Sequence, residues 1–86
     1  MKYFDWDEDK NKWLITNRGI SFEMCQAALE QNALLAIVPN KHPRTHQKMF
    51  IIKVNDYAYV VPYVEDEHKI FFKTIYPSRK ATKKYL

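Results

Sequence analysis

The most constraining feature of the sequence is a series of three strand-like segments in its second half. They are rich in Val, Ile, Tyr and Phe, and they comprise Met49–Val54, Tyr57–Val64 and Lys69–Tyr76. Two short polar turns separate them, Asn55-Asp56 and residues 65–68, and such turns join antiparallel neighbours. The pattern therefore predicts two consecutive β-hairpins. Pro62 has no backbone N–H to donate, so we expect a bulge or an end of pairing at that residue.

The first half of the sequence carries helix signals. Lys2–Trp6 alternates polar and apolar residues and predicts a short strand. Asp7 is a suitable N-cap for a helix that runs to about Asn17, and Gly19, the only glycine, suits the left-handed residue that ends it. Ser21 is placed to cap a second helix, which ends near residue 31. Two helices joined at a glycine predict a helical hairpin.

Helical spacing places four residues on one face of the first helix: Lys10, Trp13, Leu14 and Asn17. In the second helix it predicts a buried stripe, which consists of Phe22, Cys25, Ala28 and Leu29. A further apolar strand, Leu34–Val38, precedes Pro39, and Ser78 can cap a final short helix, Arg79–Leu86. The resulting order, β-α-α-β-β-β-β-α, predicts an α+β fold. In it an antiparallel sheet has the helical hairpin packed on one face and a short C-terminal helix.

Length and composition limit the functions open to the chain. Its 86 residues predict a single domain, 1–86, with a small core, which excludes an enzyme with a separate cofactor domain. No apolar run approaches the roughly 18 residues of a membrane helix, and residues 1–10 are acidic rather than signal-like, so we expect a cytoplasmic protein. The lone Cys25 excludes an internal disulfide, and the sequence has no Gly-rich phosphate loop, so we expect no cofactor.

Charge is distributed unevenly along the chain. Residues 1–40 contain four Lys/Arg and six Asp/Glu, whereas residues 41–86 contain ten Lys/Arg and four Asp/Glu. The second part therefore carries a net charge of +6 within a total of +4. Such asymmetry indicates a polyanionic partner: a nucleic acid, an acidic protein or a membrane surface. The alternative is that the lysines only keep the protein soluble.

The polar segment 40–48 is the first candidate site. Arg44, His46 and Lys48 combine a planar guanidinium, an imidazole that titrates near neutrality and an ammonium, which together suit phosphate binding. A solvated surface loop is the alternative. A metal site is disfavoured, because Pro43 interrupts any helix that would align His42 with His46 and no further ligand is close in sequence.

The basic C-terminal run is the second candidate. A helix starting at Ser78 would place Arg79 and Lys80 in its first turn, where the helix dipole opposes cations by roughly 0.3–1 kcal/mol each. An RNA phosphate bound there would reverse the sign of that effect. The alternative is a frayed basic tail.

Tyrosines on one face of the second hairpin strand are a third candidate. Tyr57, Tyr59 and Tyr63 alternate along this strand, and exposed tyrosines can stack on bases or anchor a protein partner. The preferred interpretation is that most of them pack under the helices with the aromatic side chains Trp6, Trp13 and Phe22.

Both ends of the chain resemble the BrnT-type toxins. The N-terminal likeness consists of Phe4-Asp5-Trp6-Asp7, Lys10 and the segment Arg18-Gly19-Ile20-Ser21-Phe22-Glu23. The C-terminal likeness is the segment Tyr76-Pro77-Ser78-Arg79-Lys80-Ala81-Thr82-Lys83-Lys84-Tyr85, which is similar to the family's last strand and tail. Lys83-Lys84 stands where that tail usually has an acidic residue.

The resemblance implies a place in the RelE/ParE toxin superfamily of bacterial type II toxin–antitoxin modules, with its RelE-like fold. It implies a ribonuclease that inhibits translation by cleaving mRNA without a metal. It also implies a cognate antitoxin, often of the ribbon-helix-helix type, through which alone the complex would bind operator DNA. A membrane is not an expected partner. By position, Arg79 matches the family's tail arginine, with Lys80 and Tyr85 nearby.

Metal-free RNA cleavage needs a base for the 2′-OH, cations for the phosphorane and a proton donor for the leaving oxygen. We assign the cations to Arg79 and Lys48 and the proton transfers to His46 and Tyr85. Further RNA contacts are expected from Arg44, Lys80, Lys83 and Lys53. Two alternatives remain open: a catalytically inactive toxin-fold protein that binds an antitoxin and co-represses, and a simple RNA-binding module.

Overall fold

Six strands and three helices make up the described part of the chain. The computed structural model describes residues 2–40 and 47–86. In chain order the elements are β1 (Tyr3–Asp5), α1 (Glu8–Arg18), α2 (Phe22–Glu30), β2 (Leu34–Pro39), β3 (Lys48–Val54), β4 (Tyr57–Glu65), β5 (Lys69–Phe72), β6 (Tyr76–Pro77) and α3 (Arg79–Tyr85). The predicted α+β class and element order are confirmed, except that the last predicted strand is divided into β5 and β6.

The strands form one sheet in the order β1-β5-β4-β3-β2, with β6 also paired to β4. Neighbours from β2 to β6 are antiparallel, as predicted. β1 is parallel to β5, with Tyr3 opposite Lys69, so the sheet is mixed rather than wholly antiparallel. Two helices and three strands separate β1 from β5 in the chain, so no tight hairpin turn forces these two strands to be antiparallel.

Pro62 marks the point at which β4 changes partner. On one edge of β4, residues 63–65 pair with β5, and residues 59–60 pair with β6. Residues 73–75 therefore lie opposite only two residues of β4, which is a β-bulge. The Pro62 carbonyl accepts a 2.8 Å hydrogen bond from the Lys73 N–H on this edge, where proline has no N–H to return. The prediction of a bulge or an end of pairing at Pro62 is thus confirmed as an interruption of pairing, which explains why Lys69–Tyr76 is not one strand.

The extra residue in the bulge changes the face to which the next side chains point. Phe72 is buried in the core beneath the helices, and in an uninterrupted strand Tyr76 would point to the same face. Tyr76 instead lies opposite Val60, and its hydroxyl is 3.9 Å from the Met49 sulfur on the other face of the sheet. The bulge therefore delivers an aromatic side chain to the face that α3 covers.

The sheet separates two cores. Its first face, here called the hairpin face, carries Phe50, Ile52 and Tyr63, which pack with α1 and α2. Its second face, here called the α3 face, carries Ile51 and Val60, which pack with α3. Helices thus cover both faces, and α3 is separated from the helical hairpin by the sheet.

Local signals account for the element ends. The Asp7 side chain accepts hydrogen bonds from the first turn of α1, and the Ser21 hydroxyl accepts one from the first turn of α2. Gly19 has φ +66°, the left-handed conformation expected for it. Asn55 and Asp56 both have positive φ, as a two-residue hairpin turn requires. These predictions are confirmed.

The inner face of α1 differs from the prediction. Asn11 and Leu14 are buried, whereas Trp13 is 44% exposed and does not pack with Trp6. Asn11 faces inward because its side chain accepts a 2.7 Å hydrogen bond from the Phe22 N–H and donates one of 2.7 Å to Glu23. The expectation that Trp13 lies beneath the helices was therefore wrong.

The tyrosines of β4 follow the preferred interpretation in part. Tyr63 is buried on the hairpin face, and Tyr59 is partly buried against the same core. Tyr57 is half-buried, and its ring centroid is 6.0 Å from that of Tyr59. Among the described residues, no helix is both long and apolar enough to cross a membrane.

Candidate nucleic-acid interface

The candidate site is built on α3, which is held to β4 by its first turn. The Ser78 N–H donates to the Ala58 carbonyl at 3.0 Å, and the Ala58 N–H donates to the Thr82 hydroxyl oxygen at 2.9 Å. That hydroxyl donates to the Ser78 carbonyl at 2.8 Å, while the Ser78 hydroxyl accepts from the Ala81 N–H at 3.0 Å. These bonds fix the orientation of a helix too short to be stable alone.

A groove of about 320 Å³ lies between α3 and the α3 face of the sheet. Its floor consists of side chains from β2, β3 and β4: Val38, Met49, Ile51 and Val60. Tyr76 from the strand after the bulge and Tyr85 from the end of α3 form its walls. An apolar floor with aromatic walls suits the flat face of a nucleobase.

The rim of the groove is cationic. Lys80 and Lys84 both line it, because residues four apart lie on the same side of a helix. Arg79 and Lys83 form a second, exposed pair on α3, which contains no acidic residue. Among the described residues, none of these four cations takes part in an ion pair. Arg79, Lys80 and Lys83 were predicted as site residues from the sequence, whereas Lys84 was not, although its spacing of four residues from Lys80 indicates the same side of the helix.

Tyr85, at the end of α3, lines the groove. It is partly buried against the core of the α3 face, and the Lys84 ammonium is 5.4 Å from its ring centroid. The structure thus places Tyr85, Lys80 and Lys84 around one groove, with Arg79 at the start of the same helix.

Lys48 does not join this group. It is paired with Tyr63, so its side chain starts on the hairpin face, and its ammonium lies 3.6 Å from the Glu65 carboxylate. Lys2 binds the same carboxylate at 2.8 Å, and the pKa of Glu65 is lowered chiefly by the hydrogen bond from Lys2. The expectation that Lys48 and Arg79 meet at one phosphate is therefore not supported, because the strand alternation turns Lys48 away from the α3 face.

Lys53 lies at the other end of β3, about 16 Å from Lys48 along the strand. Alternation along β3 places it on the α3 face, where its ammonium lies 3.4 Å from Asp56 in the hairpin turn. It does not line the groove.

Arg44 and His46 lie outside the described residues. The two residues that flank this segment are in contact, since the Asn40 N–H donates to the Gln47 carbonyl at 3.0 Å. Next to them in sequence are β2 and β3, which contribute Val38 and Met49 to the groove.

Cys25 takes no part in the site. Its side chain is fully buried on the hairpin face, and burial raises the pKa of its thiol to about 12. A neutral, inaccessible thiol is not a nucleophile.

Comparison with known proteins addresses the fold. No protein-family model matches the sequence, and no curated protein matches it. The chain is similar to the crystal structure of YafQ from E. coli strain BL21(DE3), with a TM-score of 0.54 over 94% of this chain and 97% of that chain. The fold is RelE-like. The two sequences are only 11% identical, so the likeness extends to the architecture and not to individual residues.

Proposed function

We propose that the chain is the toxin of a type II toxin–antitoxin module and that it cleaves mRNA at the groove beside α3. The observation that carries this proposal is the groove itself, in which Tyr76 and Tyr85 border an apolar floor. The lysines at its rim, Lys80 and Lys84, form no ion pair within the described part of the chain. Aromatic walls bind bases and cations bind phosphates, so this combination favours RNA over a neutral ligand. The RelE-like fold and the two-ended likeness to BrnT-type toxins support the same assignment.

In this proposal the cations of α3 hold the scissile phosphate. The 2′-oxygen of the ribose attacks phosphorus, the bond to the 5′-oxygen breaks, and negative charge accumulates on the phosphoryl oxygens in between. Arg79 can bind two of these oxygens with its planar fork, and Lys80 and Lys84 add charge from the rim. In this proposal Lys84 replaces Lys48 as the second cation at the phosphate.

The proton transfers are assigned to Tyr85 and His46. Tyr85 borders the groove and has a hydroxyl that can donate to the leaving 5′-oxygen. His46 precedes Gln47 in the sequence, and an imidazole is a side chain that can remove the 2′-OH proton near neutral pH. Arg44, Lys53 and Lys83 complete the proposed RNA contacts.

A second candidate function is RNA or antitoxin binding without cleavage. One observation favours it: the described residues that line the groove include no histidine, aspartate or glutamate. The described part of the groove therefore supplies only tyrosine and lysine as proton carriers. Cleavage would depend on His46, which this second candidate does not need.

The proposed partners are a cognate antitoxin of the ribbon-helix-helix type and RNA, including mRNA on the ribosome. An antitoxin that covers the groove with acidic residues would neutralise α3, and operator DNA would be reached only through that antitoxin. The net charge of +6 in residues 41–86 supports polyanionic partners of this kind.

Cleavage of a reporter mRNA in a bacterial translation extract, and of the same RNA without ribosomes, tests the proposal. We expect discrete products from the native protein and about 10- to 1000-fold slower cleavage by Arg79→Ala, since one preorganised charge is removed from the transition state. Lys12→Ala is the matched control, because Lys12 is an exposed helical cation on α1, beyond the hairpin face. RNA left intact under both conditions would refute cleavage. Retained binding of RNA or antitoxin in that case would support the second candidate.

A further inference from the structure

We propose that Phe71 and Lys73 form a second nucleotide subsite, which continues the RNA path from the groove across the α3 face of the sheet. The inference rests on the proposed function, because it extends the same RNA-binding surface. The ligand is a single-stranded RNA, with one base stacked on the Phe71 ring and a phosphate near the Lys73 ammonium.

Phe71 is turned away from the main aromatic core. Its neighbours in β5, Ile70 and Phe72, pack into the core of the hairpin face, so Phe71 points to the α3 face. It lies opposite Val64 of β4 and is half-buried. The Phe71 ring is thus partly exposed on the α3 face of the sheet, with two lysine side chains over it.

A continuous path joins Phe71 to the groove. Val60, Pro62 and Val64 alternate along β4 on the α3 face, the first at the groove floor and the last opposite Phe71. Four residues of strand separate the two ends, which is about 13 Å. A single RNA strand of a few nucleotides spans this distance, so one ligand can occupy both places.

Two lysines flank the ring. The ammonium groups of Lys69 and Lys73 lie 5.7 Å and 5.6 Å from the Phe71 centroid, near the outer limit of a cation–π contact. Lys69 is also 3.5 Å from the Asp5 carboxylate, which balances its charge. Lys73 forms no ion pair among the described residues, and it is exposed. Lys73 is therefore the cation that remains available to a phosphate.

The nearby carboxylates do not repel an RNA strand strongly. A small hollow of about 100 Å³ beside Phe71 includes Glu65 and Asp66. Glu65 is bound by the ammonium groups of two lysines, and Asp66 accepts from the backbone N–H groups of His68 and Lys69. Both negative charges are thus already paired with positive charge or with N–H dipoles, whereas Lys73 has no ion-pair partner among the described residues.

The chain contains a natural control for this arrangement. Trp13 on α1 is also an exposed aromatic ring with two cations near it, at 4.3 Å for Lys10 and 4.9 Å for Arg18. It lies on a helix of the hairpin face and has no path to the groove. Both rings lie near two cations, but only Phe71 lies on the proposed RNA path. Replacement of Phe71 should therefore weaken RNA binding, whereas replacement of Trp13 should not.

The test measures binding of a labelled 2′-O-methyl octanucleotide, which cannot be cleaved by 2′-OH attack, by fluorescence anisotropy. Phe71→Leu keeps an apolar side chain but removes the ring, and we expect its affinity to fall about 5- to 150-fold, the range for loss of one stacked base. Trp13→Leu should bind like the native protein. Lys73→Gln, at an exposed position that folding does not require, should reduce the slope of log affinity against log salt by about 0.7, one phosphate contact.

A groove variant separates failure of this inference from failure of the proposed function. If the double variant Lys80→Gln/Lys84→Gln binds weakly while Phe71→Leu and Lys73→Gln bind like the native protein, the second subsite is refuted and the groove stands. If Trp13→Leu weakens binding as much as Phe71→Leu, the path across the sheet is refuted. If the native protein binds no octanucleotide, the second subsite is refuted, and cleavage in the translation extract decides the proposed function separately.

Discussion

Replacement of Asn11 by alanine is expected to destabilise the protein, although the residue lies on a short helix. Asn11 is 3% exposed and is the buried polar residue of the described core. Its carboxamide oxygen accepts from the Phe22 N–H at 2.7 Å, and its nitrogen donates to the Glu23 carboxylate at 2.7 Å. The side chain therefore joins the middle of α1 to the first turn of α2, where backbone N–H groups have no partner within the helix.

The size of the effect follows from these two contacts. In Asn11→Ala the Phe22 N–H stays buried without an acceptor, which costs about 1–3 kcal/mol. The bond to Glu23 adds about 0.5–1 kcal/mol, because that carboxylate is exposed and can bind water instead. Alanine returns roughly 0.5 kcal/mol through its higher helix propensity. The free energy of unfolding should thus fall by about 2 kcal/mol, which lowers Tm by about 8–16 °C in a domain of this size.

Urea unfolding followed by circular dichroism measures this change. The m-value should stay constant, because the surface exposed on unfolding is unchanged. Asn17→Ala is the matched control: Asn17 is on the same helix but exposed, and it donates only to the Trp13 carbonyl at 2.9 Å. Its free energy of unfolding should change by less than about 0.5 kcal/mol. If Asn11→Ala is no less stable than Asn17→Ala, the argument from the buried hydrogen bonds is wrong.

Two further predictions concern titratable groups. Cys25 should react with iodoacetamide at pH 8 at least about 1000-fold more slowly in the folded protein than in urea. A thiol pKa of about 12 leaves little thiolate, and burial blocks access of the reagent. Equal rates would contradict the burial of Cys25. The pKa of Glu65 is lowered in the folded state, so its contribution to stability is present above its ordinary pKa and is lost as pH falls through the folded value. Between pH 6 and pH 3, the free energy of unfolding should therefore fall by about 0.2–1 kcal/mol more for the native protein than for Glu65→Gln. The difference is small because the ion pair is exposed. Chemical denaturation at each pH measures it.

Local structure was predictable because its causes lie within a few residues. Asp7, Ser21 and Ser78 cap helices through their own side chains, and Gly19 and Asn55 adopt positive φ because their residue types tolerate it. Even the bulge at Pro62 follows from one missing N–H. Each of these features can be predicted from the neighbouring residues alone.

Features that depend on distant residues were not predictable in the same way. The burial of Asn11 depends on the N–H of Phe22 across a turn, and the parallel pairing of β1 depends on where the helices return the chain. Hydrophobic spacing alone placed Trp13 in the core, whereas the packed structure leaves it beside two cations. The spacing of hydrophobic residues does not indicate which polar atom will form a buried hydrogen bond.

The candidate site also contains features with short-range causes, which were predictable, and features that depend on distant residues, which were not. The basic stretch of α3 and the position of Tyr85 follow from short-range spacing, and the groove brings Lys80 and Tyr85 together as expected. Lys48 was assigned to the same phosphate because of its charge, but the side on which a strand residue emerges depends on register. Tyr76 reaches the groove only through the bulge, so its role becomes visible once the pairing of β4 is known.

The pairing of β1 with β5 has a consequence for the order in which the molecule assembles. Tyr3 and Lys69 are more than sixty residues apart, so their contact closes a long loop and gains only three residue pairs in return. The hairpins around β4 are local and can form within microseconds, whereas this edge must wait until they exist. Amides of β1 should accordingly exchange with solvent earliest among the strands, and β4, held on both sides, should retain its protons longest.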